Sequence, residues 1–273
     1  MRIFVLIENT AVSPAYSVCH GLSLFIKTAE HRILFDTGAN GSYIKNASLL
    51  GVDLASADTA IISHGHYDHG GGIRDFFSVN DKAPVYIHEK AFGGYYSAPV
   101  KGGVPEKYIG IDPELEGHPR FVGLDEDYRI SESLFLFTGV SQKKLPVRSN
   151  NLLFKASTGG TFVKDDFVHE MNLIIEENGV HTLVCGCAHN GIINIIEHCT
   201  EIIGKTPDHV IGGFHLRHET PGSPFLDDMA DALRSSGVGS FHTCHCTGEP
   251  QFEYLRDRVE NLSYIRTGSV FDL

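Results

Sequence analysis

The chain is short of positive charge. Across 273 residues, 22 Lys and Arg stand against 34 Asp and Glu, a formal net charge of -12 with histidine neutral. Binding to nucleic acid needs a basic stripe, so no nucleic-acid partner is expected, although net charge leaves room for a local basic pocket. Long apolar runs are also missing. No stretch is long enough to span a bilayer, so no membrane partner is expected. The apolar run in the opening "MRIFVLIENT" is too short for a signal-peptide core and ends at Glu8. A cytoplasmic location is therefore expected. In that setting the six cysteines, Cys19, Cys185, Cys187, Cys199, Cys244 and Cys246, are expected as thiols or ligands rather than a disulfide framework. A linker and a residue-level repeat are missing as well, which points to a single domain over residues 1–273.

What remains is an ordinary globular composition, 42% hydrophobic and 21% charged, long enough to bury a sizeable core. Its outlier is sixteen histidines, most of the excess lying at a few loop positions.

Short β-rich runs open the chain: "RIFVLIEN", "SLFIKTAE" and "HRILFDTG". "GSYIKNASLLG" reads as a short helix, "DTAIISH" as a buried strand, "GGIRDFFSV" as a helix and "APVYIHE" as a strand. Between about 91 and 127 the pattern weakens into a stretch rich in Gly, Pro and Tyr. A structureless segment of that length is expected to be a lid or active-site loop region, with a surface excursion as the alternative. Tyr95, Tyr96, Lys101 and Arg120 could meet an anionic substrate there, but are read as surface residues. "YRISESLFLFTGV" resumes the strands. From 168 onward strand and helix alternate. "EMNLIIEENGVHTLVCGCAH" is a hairpin turning at Asn178-Gly179. "GIINIIEHCTEIIG", "PFLDDMADALRSSG" and "EPQFEYLRDRVE" are helices; "DHVIGGFHL", "GSFHTCHCTG" and "LSYIRTG" are strands. The broad order in each half is β-rich and then αβ, which suggests two similar layers facing each other.

"ISHGHYDHGGG", at 62–72, concentrates ligand-type side chains at the end of one strand. His64 and His66 are two apart, so in an extended segment they point the same way. Asp68 and His69 follow the bend, and Gly70, Gly71 and Gly72 let the backbone turn tightly. Imidazoles with a carboxylate suit zinc, iron or manganese. The spacing suits two ions, His64 and His66 on one, Asp68 and His69 on the other. A polar turn with incidental histidines is the competing reading, and the density of the pattern argues against it. "CGCAH", "GGFH" and "HTCHCTG" end three further strands, where α/β sheets place their sites, making His189, His215 and His245 ligand candidates. His88, His118, His181, His198 and His209 lack that context and are read as surface or structural. Asp36, in "ILFDTG", is either a turn acceptor or an outer carboxylate that fixes a ligating histidine's tautomer.

"SHGHYDH" resembles the HxHxDH signature of the metallo-β-lactamase superfamily, and "ILFDTG" resembles its upstream Asp-Gly motif. The resemblance covers about residues 23–248. It implies an α/β fold of the αββα sandwich type, two mixed β-sheets packed face to face with helices on both outer faces, and a dinuclear metal site. "CGCAHNGI", "IGGFHL" and "HCTG" are similar to a branch labelled metal-dependent hydrolases or 7,8-dihydropterin-6-yl-methyl-4-(β-D-ribofuranosyl)aminobenzene 5′-phosphate synthases. By this resemblance His64, His66 and His189 ligate a first ion, and Asp68, His69 and His245 a second. Many members carry a metal-bridging Asp where this chain has Cys187. Either Cys187 supplies a thiolate ligand or the bridging position is lost. Cys185, Cys244 and Cys246 would complete a thiol-rich rim.

The function expected is a metal-dependent hydrolase with one or two zinc ions, iron or manganese being alternatives. Its substrate would be a small, anionic ester, lactone, amide or phosphoester, a pterin-related phosphate among them. Asp68 would hold metal and orient the nucleophile, and His215 would act as general acid or oxyanion contact. Two alternatives remain: an iron-dependent redox or thiol-oxidising enzyme, and a non-catalytic metal or thiol sensor motivated by the two Cys-x-Cys pairs. The sensor motive is weak, since buried cysteines on strands are often only small apolar residues.

Overall fold

The computed structural model describes residues 1–273. In chain order it begins β1 (Arg2–Ile7), β2 (Ser23–Lys27), β3 (Arg32–Phe35), α1 (Ser42–Leu49), β4 (Thr59–Ile61), α2 (Tyr67–Gly70), α3 (Ile73–Val79) and β5 (Val85–His88). Next come β6 (Tyr95–Ser97), β7 (Lys107–Tyr108), β8 (Phe121–Leu124), β9 (Tyr128–Arg129), β10 (Leu134–Phe137), β11 (Leu153–Ala156) and β12 (Phe162–Lys164). The last part holds β13 (Asn172–Glu177), β14 (Val180–Val184), α4 (Ile192–Ile203), β15 (His209–Gly212) and α5 (Pro224–Ser235). β16 (Ser240–Thr243), α6 (Glu249–Arg256), β17 (Leu262–Tyr264) and β18 (Val270–Asp272) follow. Two compact units divide the chain between them.

The first unit takes Met1–Asp125, Asn150–Glu170 and Arg266–Leu273. Its larger sheet has the order β18-β1-β2-β3-β4-β5-β8, antiparallel from β18 to β3 and parallel from β3 to β8. Parallel neighbours need a crossover. α1 links β3 to β4, and α3 lies between β4 and β5. Both helices bury apolar residues, Tyr43 and Ala47 from α1 and Ile73 and Phe76 from α3, against Leu6, Phe25, Leu34, Ala60 and Val85 of the sheet. A smaller sheet of this unit runs β12-β11-β6-β7.

The second unit takes Glu126–Ser149 and Met171–Ile265. Its sheet, β17-β16-β15-β14-β13-β10-β9, is antiparallel from β9 to β14 and parallel from β14 to β17. The β13–β14 hairpin turns at Asn178 and Gly179, both at positive φ (55° and 81°), as a two-residue hairpin turn requires. Helices α4, α5 and α6 are the three crossovers between parallel strands. They bury Ile195, Ile196, Leu226, Met229, Leu233 and Leu255, among others, against Leu183, Val210, Phe241 and Leu262. α4 stops at Gly204 in the left-handed conformation, and α5 starts with Pro224 after a Ser223 side chain that accepts the Leu226 N–H.

The α/β class with two large mixed sheets is the one expected from the sequence. Residues 91–127 differ from expectation in being structured. They contain β6, β7 and β8, and β6 pairs with β11 from some sixty residues downstream, Leu153 opposite Ser97. Tyr95 is buried rather than on the surface. Arg120 is tied down by the carbonyls of Asn80 and Ala83, so it is not a loose cation available to substrate. Strands of two to four residues are too short to show a period, which is why this sheet is invisible in the sequence.

Phe241 is fully buried at the centre of the second unit. Phe241→Ala is expected to remove about 3–5 kcal/mol of stability, read as a lowered urea midpoint; an unchanged midpoint would contradict the core described.

Candidate metal centre

The first cluster starts from parallel pairing. β3 and β4 lie side by side, so the residues that leave their carboxyl ends, Asp36 and Ser63, are neighbours. Asp36 has a φ of 58°, a left-handed conformation uncommon outside glycine. Its buried carboxylate accepts the Ser63 amide at 2.7 Å and the Ser63 hydroxyl at 2.8 Å, and lies 2.6 Å from His69 Nδ1. Ser63 Oγ is also 2.9 Å from His64 Nδ1. The Nδ1 side of both rings is thereby engaged by one network. The His64 ring centroid is 4.2 Å from that of His69 and 4.6 Å from that of His66. Asp68 lies in α2 with an oxygen 3.1 Å from His20 Nε2.

A second clamp comes from a segment the sequence did not single out. The Gly65 N–H donates to His169 Nδ1 at 2.9 Å, so the ring proton of His169 sits on Nε2, which faces Asp165 Oδ2 at 3.1 Å. The same carboxylate oxygen is 3.8 Å from His66 Nε2. Burial opposes ionisation of Asp165, but the hydrogen bond from His169, with the His66 imidazole nearby, outweighs it and holds the carboxyl well below the usual carboxylate range. Tyr95 closes this side, its ring centroid 5.7 Å from His66 and 4.1 Å from His169. The backbone at Gly65 passes so close to Ala91 that any Cβ would strike the Ala91 carbonyl. Gly71 and Gly72 serve the same purpose rather than the expected tight turn. Both keep negative φ, and a Cβ on either would strike carbonyls of Ala39 or Thr37.

The second cluster lies in the other unit. β14, β15 and β16 are consecutive parallel neighbours, which gathers their carboxyl ends along one edge. The ends are stitched together: Cys185 N–H donates to Ile211 O and Gly213 N–H to Gly186 O, both at 2.9 Å, and Arg217 N–H to Cys246 O at 3.0 Å. Past each end one non-glycine residue is left-handed, Ala188 (φ 51°), His215 (φ 53°) and His245 (φ 51°). Such conformations cost about 1–3 kcal/mol each and collect at functional sites. Cys187, His189 and His215 bring their ligand atoms within 4.8 Å of one another, as do Cys187, His245 and Cys246. The rings of His189 and His215 are 4.2 Å apart, and His215 Nδ1 is buried with no hydrogen-bond partner. Burial opposes ionisation of Cys246, yet hydrogen bonds with Cys187 and His215 and the neighbouring His245 hold its thiol well below the usual range. All six cysteines are free thiols.

Within its own unit, then, each set of motif residues converges: His64, His66, Asp68, His69 and Asp36 in the first, Cys187, His189, His215 and His245 in the second. Cys185 and Cys199 belong instead to the apolar core beside Leu183. His88 caps a 3₁₀ turn by accepting the Lys90 N–H, His118 stacks on Phe77, His198 stacks on Phe137 and His209 meets Ser240. The residues missed by sequence reasoning are His20, Asp165 and His169, while Tyr95 was named but read as a surface residue. The Asp-x-x-x-His spacing at 165–169 was the one available signal.

Residues 16–140 match the family model described as the metallo-beta-lactamase superfamily. Over its full length the chain is 29% identical to an uncharacterised protein of Methanocaldococcus jannaschii, covering 99% of this chain and 100% of that one. It is also 29% identical to a second protein of that organism, named 7,8-dihydropterin-6-methyl-4-(beta-D-ribofuranosyl)-aminobenzene-5'-phosphate synthase, covering 99% and 96%. Among solved structures it resembles Tm1679, a metal-dependent hydrolase of the beta-lactamase superfamily. The TM-score is 0.83 at 26% identity, over 100% of this chain and 99% of that one. No helix is long and apolar enough to cross a membrane.

Histidine burial sets a pH dependence. Burial and neighbouring imidazoles push His64 well down. Burial also lowers His66 against the pull of Asp165, and takes His88 and His242 to about 4. Unfolded histidines titrate near 6.5. Between about 6.5 and about 4 the unfolded chain therefore binds more protons than the folded one. Stability of the metal-free protein is expected to be greatest above that window and to fall as pH drops through it. Urea midpoints at neutral pH and at about pH 5 measure this, and a midpoint that rises on acidification would refute it.

Proposed function

We propose that this protein, which belongs to the metallo-β-lactamase superfamily, is a metal-dependent hydrolase acting on an ester, lactone, amide or phosphoester bond of a small anionic molecule. The observation that carries the reading is the buried Asp36–Ser63 network. It engages Nδ1 of His64 and His69 and so commits Nε2 of each ring to coordination. Asp165 faces Nε2 of His66, which commits Nδ1 of that ring. Burial keeps His64 and His66 in the neutral form that ligates. Buried neutral imidazoles, a carboxylate and thiols are a donor set that fits zinc.

His64 and His66 would hold one ion, and Asp68 and His69 another. The chemistry a zinc ion supplies is Lewis acidity, which brings the pKa of water to near neutrality and polarises a carbonyl or phosphoryl oxygen. Asp36 and Asp165 would fix tautomers, Asp68 would orient the nucleophile, and His215 would deliver a proton from its unpartnered Nδ1 to the leaving group. A pterin-related phosphate is the substrate suggested by the name of the synthase relative. An iron-dependent thiol-oxidising enzyme is the second reading, favoured by the convergence of Cys187 and Cys246.

Two variants test the proposal. His66→Ala is expected to lose bound metal and hydrolysis across a panel of ester, lactone and phosphoester substrates. Full metal content with full activity would sink it. Asp36→Asn, which leaves the ring in reach but alters its partner, is expected to lower metal affinity about 10–100-fold, measured by competition with a chromogenic chelator. Metal analysis of the purified protein, with its visible spectrum, separates zinc from iron.

A further inference from the structure

We propose that Cys187, His245 and Cys246 form a sulfur-rich cation site within the second unit, selective for a thiophilic ion such as zinc over magnesium or manganese. The inference rests on the metal-dependent reading above and adds Cys246, a residue outside the superfamily pattern, as a ligand.

The four strand-end cysteines are not equivalent. Cys185 points its Sγ at the Ile211 carbonyl, 3.5 Å away, and belongs to the apolar core. Cys187 and Cys246 lie among imidazoles instead. The ligand atoms of Cys187, His245 and Cys246 are all buried and within 4.8 Å of one another. Tetrahedral zinc, with sulfur at about 2.3 Å and nitrogen at about 2.0 Å, holds its ligands about 3.5–3.8 Å apart, so a contraction of at most about 1 Å would complete three corners of the shell. Cys187 also belongs to the group with His189 and His215, so its sulfur stands between two sets of nitrogen donors.

The backbone is shaped around the second sulfur. A Cβ at Gly213, the residue after β15, would lie 2.3 Å from Cys246 Sγ, so the glycine gives that sulfur room beside the strand end. His245 reaches the cluster from a left-handed backbone. On binding, each thiol gives its proton to solvent as the metal–sulfur bond forms, so uptake of the ion releases protons. Two thiolates select soft, d-block cations and disfavour hard, oxygen-seeking ones.

The test is titration of the metal-free full chain with cobalt(II), read by absorption, with circular dichroism as the check on folding. The wild-type protein is expected to develop a near-ultraviolet sulfur-to-cobalt charge-transfer band beside the visible d–d bands. The band should weaken in Cys246→Ser, vanish in the Cys187→Ser/Cys246→Ser double variant, and persist in Cys185→Ser. Proton release on metal uptake should fall in the double variant. Visible d–d bands with no charge-transfer band would overturn the sulfur site while leaving the metal-dependent reading intact. Failure to bind cobalt at all would overturn both. A band undiminished in the double variant, or in both single variants if the double does not fold, also overturns the proposal.

Discussion

Asp36 holds both carboxylate oxygens out of water and meets them with the amide and hydroxyl of Ser63 and the Nδ1 of His69, all within 2.8 Å. A buried charge is tolerable only when its lone pairs are matched in this way; uncompensated, it costs several kcal/mol. The match depends on β3 and β4 being parallel neighbours, because only then do residues 36 and 63 leave the sheet side by side. It depends also on the left-handed turn at Asp36. Remove either and the histidines of the following turn lose the partner that sets their orientation. The arrangement of the ligand cluster is thus a consequence of sheet topology, transmitted through one carboxylate and one hydroxyl.

The second unit solves a similar problem by similar means. Three parallel strands end on one edge, and a left-handed residue after each end redirects the chain. The difference is chemical. Around His64, His66 and His69 the supporting groups are carboxylates, which raise the basicity of a ligating imidazole. Around His189, His215 and His245 they are thiols, which can themselves ligate. One unit thus offers imidazoles with carboxylates, and the other imidazoles with thiols.

Much of this protein is written in short-range pattern. The crowding of His64, His66, Asp68 and His69 into six positions needs no structure to be seen. Nor do the Asn178-Gly179 hairpin, the glycine after α4, or the strand–helix alternation beyond residue 168, because each depends on neighbours a few residues apart. The role of the glycines after His69 was misjudged from sequence, since close backbone approach and turn geometry leave the same residue in the same place.

The sequence by itself determined that ligand-type side chains sit at the ends of strands in an α/β chain. Tertiary structure alone decided which of them are braced, and by what. His169 reaches Gly65 across 104 residues, Asp165 bridges His169 to His66, and Tyr95 turns inward from a stretch that looked structureless. It also separated Cys187 and Cys246, among imidazoles, from Cys185 in the core. The reason is physical: contacts between segments so far apart leave no periodicity in either, and a cysteine's surroundings depend on which strands become neighbours.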